Sequence, residues 1–205
     1  NQLSQPVQAS HPGSSGDSVL DYLLEGKDTV DENRGIFLNR TFRLHPNINE
    51  FISENFYEKK LLTNSENINR KINFPKNFYI KKEGIHTILM DHEDCKQTSE
   101  EELNKIQEII KELIGKEFTD TNNKKRPLKI SDFLIVSPYN AQVNFLLARL
   151  PKGTRCGTID RFQGQEAPIT IISMTSSDVE SLPRNKSFFF NRNRLNVAIS
   201  RAQCL

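Results

Sequence analysis

Two uninterrupted apolar runs constrain the fold of this chain more than any other feature. The runs 132–137 (DFLIVS) and 169–175 (ITIISMT) are typical of strands buried on both faces in a parallel sheet. Between them, 140–150 carries apolar residues at helical spacing, and 154–159 predicts another strand. Residues 193–202 then predict a helix. Strands that alternate with helices indicate an α/β sandwich with three layers, a largely parallel central sheet and helices on both faces.

The earlier part of the chain predicts shorter elements. Helices are expected over 18–25, from Pro46 to about Tyr57, and after Ser99, which forms a capping-box pattern with Glu102. Strands are expected over 35–39 and 84–91, and loops over 64–82 and 119–129.

Composition excludes several classes of protein. A chain of 205 residues with 36% hydrophobic and 26% charged residues is typical of one globular domain. The net charge of +2 argues neither for nor against nucleic acid, because binding depends on where the charges lie. Three separated cysteines favour a reducing compartment, and no apolar run approaches the roughly 20 residues of a membrane helix. We therefore expect a cytoplasmic protein without a membrane partner.

Polar segments stand where the predicted strands end. In open parallel sheets, ligands bind at the carboxyl ends of the strands. The segments 137–142 (SPYNAQ) and 158–169 (TIDRFQGQEAPI) follow strands directly, and 192–201 lies downstream of the third strand. The alternative is a set of solvated loops with a surface helix, although simple turns more often use Asn, Asp, Gly and Pro than this mixture.

Five segments carry a family resemblance when they are taken in chain order. They are NQL at 1–3, RTFRLHP at 40–46 with FY at 56–57, SPYNAQ at 137–142, TIDRFQGQE at 158–166 and RLNVAISRA at 194–202. In this order they resemble the second, C-terminal RecA-like domain of superfamily-1 helicases. The nearest branch is the 5′→3′ one, with the nonsense-mediated-decay helicase and bacterial helicases fused to RecB-like nucleases. The resemblance implies a RecA-like fold.

The same resemblance implies two parts in this chain and assigns the rest of the ATP site to another domain. Residues 1–35 correspond to the tail of motif III and an interdomain linker with a short helix, and 36–205 to the second RecA-like domain. No GxxxxGK[ST] phosphate loop and no magnesium-binding acidic pair occur in the sequence. By the family's logic, ATP and Mg²⁺ are held mainly by the preceding RecA-like domain of a longer polypeptide, and this chain alone is not expected to hydrolyse ATP.

The resemblance implies a role for five residues at the nucleotide. Arg43 and Arg201 are similar to arginine fingers, which suit a γ-phosphate because guanidinium stays ionised and donates in a planar fork. Gln2 resembles the residue that senses the γ-phosphate, and Glu166 the acid that binds the ribose. Gly164 stands where the backbone approaches a ligand or adopts positive φ. The structural alternatives are a surface ion pair for Arg43 and carbonyl capping by Arg201.

Other residues of these motifs are expected at a single strand of DNA or RNA. The hydroxyls of Ser137, Tyr139 and Thr158 can bind phosphate oxygens without reading sequence. Pro138 resembles the residue that packs against the sugar-phosphate backbone. Gln163 suits either ligand.

The sequence departs from the family pattern at three positions and leaves other contacts open. Phe42, Ser200 and Gln203 replace a frequent Tyr, Thr and basic residue. Gln142 either joins the strand site or only caps its helix. Phosphate contact and simple solvation are equally open for Arg161, Arg192 and Arg194.

Two further functions compete with a helicase motor. One is a RecA-like domain kept as a binding or scaffolding module, against which the presence of Arg43, Glu166 and Arg201 argues. The other is a metal-dependent nuclease, whose candidate ligands would be His86, Asp91, His92, Asp94 and Cys95. Ligand types alone do not establish a geometry, and an acidic loop after a strand explains them more simply. We therefore predict no metal site in this chain.

Overall fold

The computed structural model describes residues 19–24, 26–75, 79–177 and 191–205. In these ranges the helices are α1 (Val19–Leu24), α2 (Pro46–Phe56), α3 (Glu100–Leu113), α4 (Asn140–Leu147) and α5 (Arg192–Ile199). The strands are β1 (Arg40–Thr41), β2 (Leu62–Thr63), β3 (Lys71–Asn73), β4 (Glu117–Thr119), β5 (Lys125–Pro127), β6 (Phe133–Val136), β7 (Arg155–Gly157) and β8 (Ile169–Ile172). The chain is thus mixed α/β. None of the helices described is long and apolar enough to cross a membrane.

The predicted parallel sheet forms around β6. This strand lies between β7 and β8 and pairs with both in parallel. Its four residues are at most 1% exposed, as the apolar run predicts. Phe133 and Ile135 join the core formed with α3 and α4, whereas Leu134 and Val136 join the core formed with α5. Both faces of β6 are therefore covered by helices.

Helix α3 has the strongest amphipathic pattern, and it begins where the sequence predicts. The Oγ of Ser99 accepts the N–H of Glu102 at 3.1 Å and caps the first turn. Apolar residues recur three and four positions apart along the helix and are all buried, namely Leu103, Ile106, Ile109, Ile110 and Leu113. This face supplies much of the main core.

The two predicted loops at 64–82 and 119–129 are wrong, because they contribute to a second sheet. Strand β4 pairs antiparallel with both β3 and β5. The β4–β5 turn is closed by the carboxylate of Asp120, which accepts the N–H groups of Asn122 and Lys124 at 2.8 and 2.9 Å. Ile72 and Phe118 bury the inner face of the sheet. Strands of three residues with mixed polarity show no alternation long enough to predict.

The strands predicted over 35–39 and 84–91 are absent. Pairing begins only at Arg40, and the apolar side chains of Ile36 and Leu38 are 89% and 82% exposed. The second segment is separated from β8 by a cavity of about 560 Å³. Its apolar side chains Ile85 and Ile88 line that cavity, and on the outer edge of β8 the N–H of Thr170 donates to the carbonyl of Leu205 at 2.9 Å instead.

Backbone bonds bring three distant segments together beside the parallel sheet. The N–H of His45, which caps α2, donates to the carbonyl of Gln203 at 3.0 Å. The N–H of Ala167 donates to the carbonyl of Arg201 at 3.1 Å, and the N–H of Gln203 donates back to the carbonyl of Ala167 at 2.8 Å. The loop before α2, the segment before β8 and the end of α5 therefore share one wall.

Candidate functional site

Side chains from the 65–70 segment hold the loop between β1 and α2. Asn67 is 1% exposed, and its amide donates to the carbonyl of Leu44 at 3.1 Å. Arg70 donates to the carbonyl of Arg43 and, at 3.4 Å, to that of Phe42. The backbone of Arg43 is therefore fixed by buried polar groups, while its side chain extends toward the shared wall.

The side chain of Arg43 reaches Glu166, 123 positions along the chain. Its Nε donates to the carboxylate, and its Nη1 donates to the carbonyl of Ser200 at 3.1 Å. Gln203 donates to the other carboxylate oxygen at 2.7 Å. Burial acts to raise the pKa of Glu166, but the hydrogen bonds from Arg43 and Gln203 outweigh it, and this pKa lies below its usual value.

Arg201 lies behind this ion pair and is almost wholly buried. The residue is 3% exposed, and its Nη1 donates to the carbonyl of Gln165 at 3.3 Å. Its Nε is buried without a hydrogen-bond partner among the described residues. Burial lowers the pKa of Arg201, and the positive charge of Arg43 lowers it further. The carbonyl that Arg201 binds belongs to the segment before β8, so it does not cap its own helix.

Positive charge exceeds negative charge at this wall. Arg43 and Arg201 both act on Glu166, and the charge of Arg70 also lowers the pKa of Glu166. Arg70 also interacts with the carboxylate of Asp120, whereas Arg43 and Arg201 share Glu166. A buried cation is costly unless it is paired, and the Nε of Arg201 has no hydrogen-bond partner among the described residues.

Glycines allow the connection from β7 to β8 to fold tightly. A Cβ on Gly157 would lie 2.9 to 3.1 Å from Arg161 and the ring of Phe162, so only glycine lets the turn Asp160–Phe162 close over β7. Gly164 has φ +82°, which side chains rarely tolerate, and it is exposed. The positive φ predicted as one alternative for Gly164 is present, and the turn leads directly to Glu166.

The residues expected at a nucleic-acid strand lie at the ends of β6 and β7, with different exposure. The N–H of Ser137 donates to the carbonyl of Gly157 at 3.1 Å, so Thr158 starts beside it. The side chain of Ser137 is fully buried, and its hydroxyl lies 3.3 Å from that of Thr175. Pro138, Tyr139 and Thr158 are half-buried, and Gln163 is exposed.

Burial also affects the chemistry of this edge. It raises the pKa of the Tyr139 phenol, which therefore stays protonated at neutral pH. Two of the hydroxyls predicted to bind the phosphates of the nucleic acid are buried in this structure. That of Ser137 faces Thr175, and the phenolic oxygen of Tyr139 is also covered by protein.

Other arginines of the motifs contact the protein itself. Arg192 donates to Asp28 at 3.3 Å and lies over the ring of Phe56. Arg194 donates to Asp160 at 3.2 Å. The structure therefore uses both side chains to fix α5 against its neighbours.

Sequence reasoning missed three polar residues of these sites. Gln203 was noted only as a departure from a basic residue, yet it binds Glu166. Arg70 lay in a predicted loop, and its contact with Arg43 spans 27 positions. Gln142, for which a helix cap was one alternative, is fully buried and instead bonds Ser99 and Ser173. Gln2, predicted to sense the γ-phosphate, lies outside the described residues.

One group of potential metal ligands occurs in the described part of the chain. Ligand atoms of His92, Cys95 and Glu101 lie within 4.8 Å of one another. The thiol of Cys95 and the hydroxyl of Ser99 donate to Glu101 at 3.5 and 3.0 Å. These hydrogen bonds by themselves explain why the carboxylate lies beside Cys95. Of the five nuclease candidates, only His92 and Cys95 belong to the group, which does not build the proposed nuclease centre.

A parallel α/β core with guanidinium groups beside its strand ends is typical of nucleoside-triphosphatase domains. The chain matches the family described as AAA domain over residues 16–205. It belongs to this family, the C-terminal RecA-like domain of superfamily-1 helicases.

Proteins with similar sequences are named as helicases. An ATP-dependent helicase of Caenorhabditis elegans without an assigned role is 30% identical over 81% of this chain. The DNA polymerase alpha-associated DNA helicase A of Schizosaccharomyces pombe is 28% identical over 98% of it, and the ATP-dependent helicase upf1 of the same yeast is 28% identical over 79%. The matched region covers only 11%, 30% and 18% of these three proteins.

Proposed function

We propose that the chain is the second motor domain of an ATP-dependent helicase or translocase, folded as a RecA-like three-layer sandwich. The observation that carries this proposal is the buried guanidinium of Arg201, whose Nε is without a partner among the described residues and which lies beside Arg43. A buried cation with an unused donor suits an anion that arrives from outside the domain. In this family the anion is the triphosphate of ATP, presented by the preceding RecA-like domain.

Arg43 and Arg201 would act as arginine fingers on the γ-phosphate. Arg201 lies behind the pair of Arg43 and Glu166, so it reaches the nucleotide when that pair opens. Arg43 reaches the nucleotide by loosening its bond with Glu166. The freed carboxylate can then accept hydrogen bonds from the ribose hydroxyls, and Gln203 keeps it oriented. Guanidinium groups placed in this way would stabilise the charge that develops during phosphoryl transfer.

The residues of this wall fit a triphosphate but do not fit Mg²⁺. Magnesium requires free carboxylate oxygens, and both oxygens of Glu166 already accept hydrogen bonds. We therefore assign Mg²⁺ to the preceding domain. ATP, once bound, supplies the phosphoryl group, and the role of this chain is to neutralise charge and exclude water.

We assign the strand-binding role to the ends of β6 and β7. The half-buried side chains of Pro138, Tyr139 and Thr158, together with exposed Gln163, form a surface that suits the sugar-phosphate backbone of DNA or RNA. The connection from Thr158 to Glu166 joins this surface to the nucleotide wall in nine residues. ATP state and grip on the strand would be coupled through that connection, with 5′→3′ direction as the family resemblance implies. A cytoplasmic location remains part of the proposal.

The assignment of Arg201 is tested in the complete protein that contains this chain. Arg201→Ala is expected to reduce ATP turnover by about 10³-fold, because a finger donor is lost from the transition state. Arg201→Lys should not restore turnover, since an ammonium cannot donate as a fork. Affinity for a single-stranded oligonucleotide should stay close to wild type. The matched control is Arg149→Ala, at an exposed arginine that lies over Phe145. ATP turnover of Arg201→Ala within about threefold of the wild-type rate would contradict the role.

A further inference from the structure

Glu102 closes only half of the capping box that its spacing predicts. Its N–H donates to the Oγ of Ser99 at 3.1 Å, which caps α3. The return bond from its carboxylate to the N–H of Ser99 is not made, because that N–H donates to the side chain of Gln142 at 3.0 Å. The carboxylate, on a residue only 8% exposed, is therefore free to act elsewhere.

The carboxylate of Glu102 instead holds the end of β8, more than 70 positions away. One oxygen accepts the N–H of Thr175 at 2.7 Å, and the other accepts the hydroxyl of Ser173. Gln142 also donates to the oxygen of Ser173, at 3.1 Å. A buried carboxylate is stable only when such donors satisfy it, so the fold depends on these hydrogen bonds.

Thr175 is held in a backbone conformation that it would rarely adopt alone. Its φ is +72°, and the residue is fully buried. A β-branched residue in this region is strained, and such strain persists only where neighbouring groups impose it. The N–H of Thr175 donates to Glu102, and its hydroxyl contacts Ser137 and the carbonyl of Ser173, so these bonds hold the residue in place.

The strained residue contacts the loop assigned to the nucleic-acid strand. The hydroxyl of Thr175 lies 3.3 Å from that of Ser137, which in turn accepts the N–H of Tyr139 at 3.5 Å. The same loop leads into α4, where Gln142 is tied to Ser173 and Ser99. The Ser137–Tyr139 loop is thus held at both ends by one network, in which Glu102 supplies the buried carboxylate and the exposed Glu101 contacts Ser99 and Cys95.

We propose that Glu102 is a positioning residue for strand binding, acting through Thr175 and Ser137 on the Ser137–Tyr139 loop. This rests on the proposed function of that loop. Ser137 then serves inside the network and sets the position of Pro138 and Tyr139, which are half-buried and follow it in the chain. Glu102 itself never touches the strand.

The test uses the complete protein and a fluorescein-labelled oligothymidine or oligouridine of about 15 nucleotides. Glu102→Leu is expected to weaken binding about tenfold, and Glu102→Gln, whose amide can still accept from Thr175 and donate to Ser173, should restore it to within about threefold. The dependence of binding on salt between about 50 and 200 mM should keep its slope, because no phosphate contact is removed. The KM for ATP without the strand should not change. Glu100→Leu, exposed on the same helical turn, is the control.

Thr175→Gly separates positioning from simple stability. Glycine keeps the N–H that donates to Glu102 and relieves the positive φ, which offsets the loss of the buried side chain, so the thermal midpoint should stay close to that of wild type. Binding should nevertheless weaken, since the contact with Ser137 is lost. The inference is overturned if Thr175→Gly binds like wild type, or if Glu102→Leu loses affinity with a smaller salt slope. If Glu102→Leu fails to fold, the Thr175→Gly and Glu102→Gln variants still test the positioning role. A wild-type protein that binds neither oligonucleotide contradicts the proposed function instead.

Discussion

Glu166 is the carboxylate that pairs with the arginines of the shared wall. Arg43 and Gln203 donate to its two oxygens, and both come from segments distant in sequence. The side chains of Arg43 and Glu166 are 30% and 42% exposed, so the ion pair contributes little to stability. A weak pair is consistent with the proposed role, in which Arg43 exchanges the carboxylate for a phosphate. The lowered pKa of Glu166 ensures that the carboxylate is charged throughout the neutral range.

The contribution of Glu166 to stability should depend on pH in a defined direction. Its folded pKa lies below the ordinary 4.5, so its stabilisation is complete above that pH and is lost as the pH falls through the folded value. The difference in thermal stability between wild type and Glu166→Gln should be constant from pH 7 to about 5, at most about 1 kcal/mol, and decline as the pH falls further. Thermal unfolding at each pH measures it. Glu93→Gln, at an exposed carboxylate, is the control, and a difference that does not decline at acidic pH would count against the ion pair.

The sequence supported these site residues unevenly. Arg43, Glu166 and Arg201 could be singled out because each stands in a motif whose order resembles one family. Their partners could not, since Gln203 and Arg70 act through contacts that only the folded chain creates. The burial of Ser137 was hidden for the same reason, because it depends on Thr175, 38 positions away.

The elements differ in how strongly their sequence specifies them. The strand β6 and the helix α3 are long or wholly apolar, and tertiary packing agrees with their local pattern. The hairpin of β4 and β5 has no such pattern, because the exposed strand Lys125–Pro127 faces solvent and its register is set by the Asp120 turn. Conversely, 84–91 has a strand-like pattern without a strand, because pairing requires a neighbouring edge within reach.

The hairpin is joined to the parallel sheet by one ion pair that should matter for stability. Arg126 of β5 donates from both terminal nitrogens to Asp132, at 2.6 and 2.8 Å, directly before β6. Burial acts to raise the pKa of Asp132, but Arg126 and the N–H of Lys129 outweigh it and lower this pKa. Asp132→Asn should therefore lower the free energy of unfolding by about 1 to 2 kcal/mol in urea titrations.

A second acid on the same hairpin provides the comparison. Glu117 pairs with Lys125 at 3.0 Å, but their side chains are 44% and 61% exposed. Glu117→Gln should change the free energy of unfolding by no more than about 0.5 kcal/mol. Equal losses in the Asp132 and Glu117 variants would show that burial of the Arg126 pair contributes nothing.

In the whole molecule, the parallel sheet brings motifs that are distant in sequence to one surface. The ends of β6 and β7 carry the residues proposed to bind the nucleic acid, and the segment between β7 and β8 carries Glu166 to the wall of Arg43 and Arg201. This arrangement supplies cations but no phosphate loop, since no GxxxxGK[ST] pattern occurs in the 205 residues. The chain spans at most 30% of the three relatives described above, and the proposal assigns the remaining parts of the ATP site to other regions of the complete protein.

Comparison of the isolated chain with the complete protein tests that division of the site. The polypeptide 1–205 should show no ATP turnover, with or without single-stranded oligonucleotide, because it offers arginine donors without a cradle for the phosphates. The complete protein should turn over ATP, and its rate should rise when the oligonucleotide is added. Circular dichroism confirms that the isolated chain is folded before turnover is measured. Turnover by the folded chain alone would contradict the division. A complete protein that binds the strand without hydrolysing ATP would favour the scaffolding module, because the buried cation of Arg201 would then serve an anion other than a transferred phosphate.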